Sequence, residues 1–483
     1  VAGLALGTVA AEERALPGHV DQADIDAGKW SFEQLREAGK RLFQAKFTIL
    51  DGATRPGQTH LDNPTGRVAG SAPTFLRSVG PDANSCSGCH GQPHVGGAGD
   101  FAANVFVPTT ARELDPFSIA PEAGAERHTP GMDGSGAIEM LAREMTRDLI
   151  SIREQAVKAA RETGAPARRE LVTKGVSFGF ITALPDGTGL PDGNLRFNEV
   201  TGVDRDLIVR PWNQKGQIPS LRAFSVNALN RHHGMGPVER FGIRITGTRN
   251  FDESGVADKI SVGDVTAITV WQASLPVPGR VMPKEPARRA AVAVGEAKFA
   301  EVKCASCHVP ALVLNDPVFS EPGPYNDEGT MRAQETTHFV RFDLTRDTPS
   351  PRLERLSDGR AVVRAYTDLK RHRICDREKP HFCNEHLVRD APPPDQFITK
   401  RLWGVGNTMP YGHRGDLTTL REAILNHGGD ARESRIAFEH LAAADQDAVI
   451  VFLETLQVLP EGSPSVIEET PAPPLPYARA GAD

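Results

Sequence analysis

Two copies of Cys-x-x-Cys-His, Cys86-Ser-Gly-Cys89-His90 and Cys304-Ala-Ser-Cys307-His308, constrain this chain more than any other feature. Paired thiols at this spacing can each add to a vinyl group of one haem, and the histidine that follows becomes the proximal iron ligand. A single copy could be chance or half of a zinc site, but zinc would require further Cys/His pairs at regular spacing nearby. Here His94 and the glycine-rich Val95-Gly-Gly-Ala-Gly99 follow the first copy, Val309-Pro310 follows the second, and no other Cys-x-x-Cys is present. The motifs predict two covalently bound haems of the c type. Cys86, Cys89, Cys304 and Cys307 are the attachment points, and His90 and His308 are the iron ligands.

The motifs begin 218 positions apart in a chain of 483 residues, so each haem is expected in its own domain. The reading is an N-terminal arm over 1–27, a haem domain with an insertion over 28–280, a cytochrome c-like haem domain over 287–460, and a proline-rich tail over 461–483. Pro283-Lys-Glu-Pro286 reads as the linker between the haem domains. Apolar periodicity predicts helices over 262–275, stopped by Pro276-Val-Pro278, over 287–302 leading into Cys304, and over 442–459. The tail Thr470-Pro-Ala-Pro-Pro-Leu-Pro476 reads as disordered. The expected fold class is mainly α: two cytochrome c-like haem domains with long irregular loops and insertions, because haem supplies much of each core.

A net charge of −7 argues against a nucleic-acid binder, which needs a basic face. It suits docking to a basic electron-transfer partner. Hydrophobic content of 39% and charged content of 24% are ordinary for a globular chain. No apolar run approaches the roughly 18–20 residues of a membrane span. The opening Val1-Ala-Gly-Leu-Ala-Leu-Gly-Thr-Val-Ala-Ala11 reads like the end of a secretory signal peptide, against the blander reading of a frayed terminus. Attachment of haem to Cys-x-x-Cys-His takes place outside the bacterial cytoplasm, so the periplasm is the expected compartment. The remaining cysteines, Cys375 and Cys383, bracket Asp376-Arg-Glu-Lys-Pro-His-Phe382. A disulfide is the default in an oxidising compartment. A metal site with His381 and His386 is a second reading, and a redox dithiol a third, at a spacing that does not favour a low thiol pKa.

Leu402-Trp-Gly-Val-Gly406, Tyr411-Gly-His-Arg-Gly-Asp416 and Leu420-Arg-Glu-Ala-Ile-Leu-Asn-His-Gly-Gly429 together resemble the C-terminal half of the bacterial di-haem oxidoreductases. These are also called thiol oxidoreductases or di-haem peroxidases, and look like relatives of di-haem cytochrome c peroxidases and MauG-type enzymes. Gly295-Glu-Ala-Lys-Phe299 and Ala365-Tyr-Thr-Asp-Leu369 with His372 extend the likeness. Before about Gly295 it is looser, anchored by Cys86 to Gly99 and Ile218-Pro-Ser-Leu221. Residues 125–200 match no pattern of the family.

The resemblance implies a division of labour: peroxide chemistry at the haem on His90 and electron entry at the haem on His308. It places His427 as sixth ligand of the second haem, where the peroxidases have methionine and MauG-type enzymes tyrosine. Paired imidazoles would give a low-spin iron of lower potential than a His/Met pair. Met409 is the rival ligand, and a helix-capping role before Gly428-Gly429 is the bland reading of His427. The peroxidase distal histidine, sixteen positions after the motif histidine, is replaced by Phe106, which implies an open or water-bound site. His94 reads as a loop histidine near a propionate. Peroxide cleavage needs a group to move the proton, and the pattern offers Glu239, His232 and His233. A salt bridge of Glu239 with Arg240 or Arg244 is the alternative. Trp212 is the candidate between the haems, while Trp271 and Trp403 read as packing residues. Tyr366, Asp368 and His372 read as polar groups near the second haem that tune its potential. Calcium enters only because related peroxidases bind it between domains; no ligand set can be numbered. The implied partners are a small periplasmic cytochrome or copper protein, and hydrogen peroxide or another small oxidant. A side chain on a partner protein is a further substrate, as for MauG-type enzymes. A di-haem electron carrier without a substrate site is the competing function, and a haem-based sensor the third.

Overall fold

The computed structural model describes residues 13–53, 83–100, 102–104, 126–185, 194–251, 254–384 and 392–470. The opening segment 1–11, Phe106, His386 and the end of the proline-rich tail, 471–483, lie outside them.

Each Cys-x-x-Cys-His motif sits beside a pair of packed helices. In the first pair, Phe32–Gln44 packs against Val262–Ala273. Both begin with a capping box, Ser31 with Gln34 and Ser261 with Asp264, which satisfies otherwise unpaired N–H groups. The helices meet at Gly39, where a Cβ would lie 2.0 Å from the Ala267 carbonyl oxygen. Only glycine allows that approach. Phe43 then packs on Trp271, ring centroids 4.4 Å apart. In the second pair, Pro286–Glu301 packs against Ala443–Thr455. Proline occupies the first helical position and the Glu285 carboxylate accepts from the N–H groups of Ala287 and Arg288. The contact is again a glycine: a Cβ on Gly295 would lie 1.9 Å from the Ala448 carbonyl oxygen. Phe299 meets Phe452 at 5.5 Å. All three helices predicted from periodicity are present, with ends set by their caps.

The fold class is not mainly α: of the described residues, helix takes 37% and strand 16%. Stretches expected as irregular loops pair into short sheets, because buried backbone N–H and C=O groups need partners wherever the chain leaves a helix. Residues 125–200, unmatched by any pattern, supply the largest example. The long helix Ser135–Thr163 is followed by antiparallel strands Ala167–Thr173, Val176–Ala183 and Leu195–Val200. The first two strands are joined through Lys174-Gly175, both at positive φ (50° and 82°), the conformation of a two-residue hairpin turn. Smaller pairs join Leu312–Leu314 to Ala361–Val363, Val318–Glu321 to Val340–Asp343, and Arg371–Arg373 to Gln396–Ile398. Gly279–Met282 lies between Leu456–Gln457 (antiparallel) and Val466–Glu468 (parallel). It ties the exit of the first helix pair to the end of the second.

The largest apolar core includes Leu35, Leu141, Phe178, Trp271 and Phe319; a smaller one gathers around Phe299, Tyr366, Phe438 and Phe452. The large core also holds a charged cluster. Arg222, fully buried, donates to Glu239 (Nε to Oε2, 3.0 Å) and to Glu321 (Nη1 to Oε1, 2.8 Å). Burial pushes the Glu321 carboxyl up to about 7, against the pull of Arg222. No helix among the described residues is long and apolar enough to cross a membrane.

Candidate functional site

The first motif forms a single 3-10 turn, Cys86–Gly88, opened by the Ser85 hydroxyl accepting from the Gly88 N–H. The ring of His90 donates from Nδ1 to the Gly97 carbonyl at 3.2 Å. That carbonyl is within reach because the glycine-rich loop folds back tightly: a Cβ on Gly97 would lie 2.0 Å from the Gln92 carbonyl oxygen. With the proton held on Nδ1, Nε2 keeps its lone pair, the arrangement a metal-ligating imidazole needs. Burial lowers the His90 pKa to about 4, so the ring is neutral at ordinary pH.

The second motif repeats this logic with a different acceptor. Cys304–Ser306 forms the turn, and His308 donates from Nδ1 to the backbone carbonyl of Tyr366 at 3.1 Å. Burial brings this ring to about 4 as well. The Tyr366 hydroxyl, by contrast, donates to Glu296 (3.2 Å) and accepts from Arg280 (3.3 Å), so this residue serves the site through its backbone. Asp368 and His372 do come together beside Cys307, Oδ2 to Nε2 at 2.7 Å. Burial would lower the His372 pKa, but the hydrogen bonds to Asp368 and Cys307 and their charges carry it up to about 10.

One cavity of about 360 Å³ joins the two motifs, lined by His90, His308, Trp212, Trp403, His413 and His427 among others. His427 donates from Nδ1 to the Ala423 carbonyl one turn back, at 2.6 Å, and burial keeps it neutral. It is the third imidazole in the cavity whose Nδ1 is committed to a carbonyl, and it lies close enough to His308 to depress that ring's pKa. The rival ligand Met409 is 59% exposed and does not line the cavity. His413, 5% exposed, has no hydrogen bond at either ring nitrogen, and burial drops its pKa to about 3. It stacks on Phe397 with centroids 4.3 Å apart. The indole N–H groups of Trp212 and Trp403 are also buried and unpartnered. Trp403 is therefore a wall of the cavity as well as a packing residue. Paired thiols, carbonyl-tethered imidazoles with free lone pairs and an imidazole without partners in one cavity are a donor set that fits haem.

The three groups read as peroxide chemistry do not line this cavity. Glu239 is 4% exposed, its carboxylate engaged by Arg222 and by the Met331 N–H at 2.6 Å. It is the buried partner of the core cation Arg222, not of Arg240 or Arg244. His233 holds the first motif from behind, Nδ1 to the Ala83 carbonyl at 2.7 Å and Nε2 to Cys86 Sγ at 3.3 Å. His232 lies beside it, ring centroids 6.2 Å apart. His94 pairs with Asp133 at 3.0 Å. Cys375 and Cys383 are disulfide-bonded, which leaves neither sulfur as a thiolate to ligate a metal. Among the described residues, Cys307, Asp368 and His372 form a cluster with metal-ligating side chains, but it lacks the oxygen-rich shell that calcium requires. Sequence reasoning passed over His413 and the adjacent cations Lys400 and Arg401. The signal for His413 was its place in the matched Tyr411 to Asp416 segment; the cations carried none.

No curated protein matches the chain. Among solved structures it is similar to hydrazine synthase of Kuenenia stuttgartiensis, determined under 20 bar xenon, at 13% identity and a TM-score of 0.35, over 94% of this chain and 98% of that one. Residues 385–456 match the family described as "Di-haem oxidoreductase, putative peroxidase". That stretch contains His413 and His427, so the part of the chain that builds the His427 wall of the cavity is the part that carries the di-haem oxidoreductase likeness.

Proposed function

We propose that this chain is a periplasmic di-haem oxidoreductase of peroxidase type. Cys86 and Cys89 hold one haem and Cys304 and Cys307 the other, with His90 and His308 as proximal ligands. The observation that carries the reading is the shared cavity into which both motif histidines and His427 face, each with Nδ1 bound to a carbonyl. When bound, haem supplies reversible one-electron chemistry and, at an open coordination position, activation of peroxide. The tethers on His90 and His308 fix ring orientation and strengthen each nitrogen as a donor. His427 would be the second imidazole to hold the haem of the second motif, which would suit electron entry from a small cytochrome or copper protein. His232, the imidazole close enough to His90 to depress its pKa, does not line the cavity, which would leave that side for hydrogen peroxide or another small oxidant. Trp212 and Trp403 line the same cavity.

A second reading has one specific observation in its favour. His413 offers an unpartnered imidazole to the same cavity, and an iron bound by it would be closed to substrate, giving an electron carrier. Low-temperature EPR of the oxidised protein separates the two. One high-spin and one low-spin haem, with a spectral response to a small excess of hydrogen peroxide, supports the peroxidase. Two low-spin haems that ignore peroxide, before and after half-reduction, overturn it.

A further inference from the structure

Lys400 and Arg401 are adjacent, and both line the cavity between the two motifs. Lys400 belongs to the segment beside His308, whose ring is held partly by the Lys400 carbonyl. Its Nζ reaches back to the Asn213 carbonyl at 3.3 Å, on the side of the first motif. The Arg401 guanidinium bonds the Gly131 carbonyl, lies 5.9 Å from the Trp212 ring, and is near enough to His90 to depress its pKa. The other cations of the lining have carboxylate partners: Lys303 pairs with Glu433, and Arg435 with Glu378 and Glu439. Among the described residues, Lys400 and Arg401 have none within ion-pair distance.

The cavity's own carboxylates do not supply the missing charge. Asp133 and Asp430 line it, but Asp133 is engaged by His94 at 3.0 Å and Asp430 faces His372 at 3.6 Å. A cation removed from water without a counter-ion is strongly disfavoured. Burial accordingly pushes Lys400 down to about 7 and Arg401 down to about 10, each depressed further or only partly relieved by its charged neighbour. The site is short of negative charge, and the ligand that completes it is an anion.

Resting on the di-haem reading above, we infer that Lys400 and Arg401 form one anion seat, in the cavity between the motifs, that takes the propionate carboxylates of the haems. Guanidinium binds carboxylate through a two-pronged fork and ammonium through a point charge, so both residue types suit this ligand. A neutralised propionate no longer favours the ferric state of its iron, so the seat raises both reduction potentials and couples them through adjacent charges.

The test is a spectroelectrochemical titration of the fully loaded protein, compared with Lys400→Met and Arg401→Gln. Each neutral variant is expected to lower the potential of the haem whose propionate it releases, by about tenfold in the one-electron equilibrium, or 59 mV. Lys400→Arg and Arg401→Lys should keep it. The propionate bending bands in resonance Raman should move only in the neutral variants. If the neutral variants fail to load haem while the charge-conserving ones load normally, the seat is equally supported. Unchanged potentials and Raman bands in loaded neutral variants overturn it. So does a wild-type potential that follows added acetate with fixed Raman bands, which gives the seat to a free anion. A wild-type chain that takes up no haem would instead sink the di-haem reading itself.

Discussion

The two Cys-x-x-Cys-His regions are built by the same device and completed by different means. Each motif lies against a helix pair brought into backbone contact at a glycine, Gly39 against Ala267 and Gly295 against Ala448, and each motif histidine donates from Nδ1 to a carbonyl. At the first site that carbonyl belongs to Gly97, seven residues away in the same loop; at the second it belongs to Tyr366, 58 residues on. The second site also has His427, tethered and neutral, whereas the imidazole close enough to His90 to depress its pKa is His232, which does not line the cavity. The frame around each motif histidine is thus common to both sites, and the imidazoles around it are where they part. The proposed division into electron entry and substrate rests on that difference.

The largest effects should come from the frame. Changing both Cys304 and Cys307 to alanine should remove one of two haems, read as a loss of one haem mass from the intact protein and of the low-spin EPR signal. If the high-spin signal goes instead, the roles of the two sites are reversed. Gly39→Val and Gly295→Val should each destabilise by roughly 1–3 kcal/mol or more, since neither backbone can retreat from a Cβ placed at that distance. Chemical denaturation of each variant measures this. A marked difference between the two glycines would show that the helix pairs are not equivalent supports.

His427→Ala should turn the low-spin ferric signal high-spin while leaving the other haem untouched; a spectrum without change would exclude His427 as ligand. The smallest effect concerns pH. The folded pKa of His413 is depressed to about 3 from the usual 6.5, so the unfolded chain takes up a proton there that the folded chain does not. Its contribution is complete above 6.5 and is lost as pH falls toward 3. In His413→Phe, stability should fall less steeply with acid across that window, by one proton's slope. An unaltered slope would mean that His413 is engaged by a bound group in the loaded protein.

Much of the frame was legible in the residues. The motif spacing and the periodic helices before and after it led to His90 and His308, because these signals are local: a helix face, a turn, a thiol pair; His427 came only from the resemblance carried by the Leu420 to Gly429 segment. The Lys174-Gly175 hairpin was legible too, in alternating strands around a two-residue turn, but a helix-dominated expectation hid it. Glu239 shows the limit from the other direction. Its position in the chain suggested a base in the cavity, while its chemistry was settled by Arg222, whose side chain reaches it from a neighbouring helix.

By itself the sequence determined which residues can hold two haems, since thioether spacing and the proximal histidine are covalent matters confined to five consecutive positions. Tertiary structure alone decided that the two motif histidines open into one cavity, that Lys400 and Arg401 stand there without carboxylates, and that His413 faces it unbonded. Those are facts of burial and of charge balance. They depend on which distant segments the fold brings together, and no local pattern of residues carries that information.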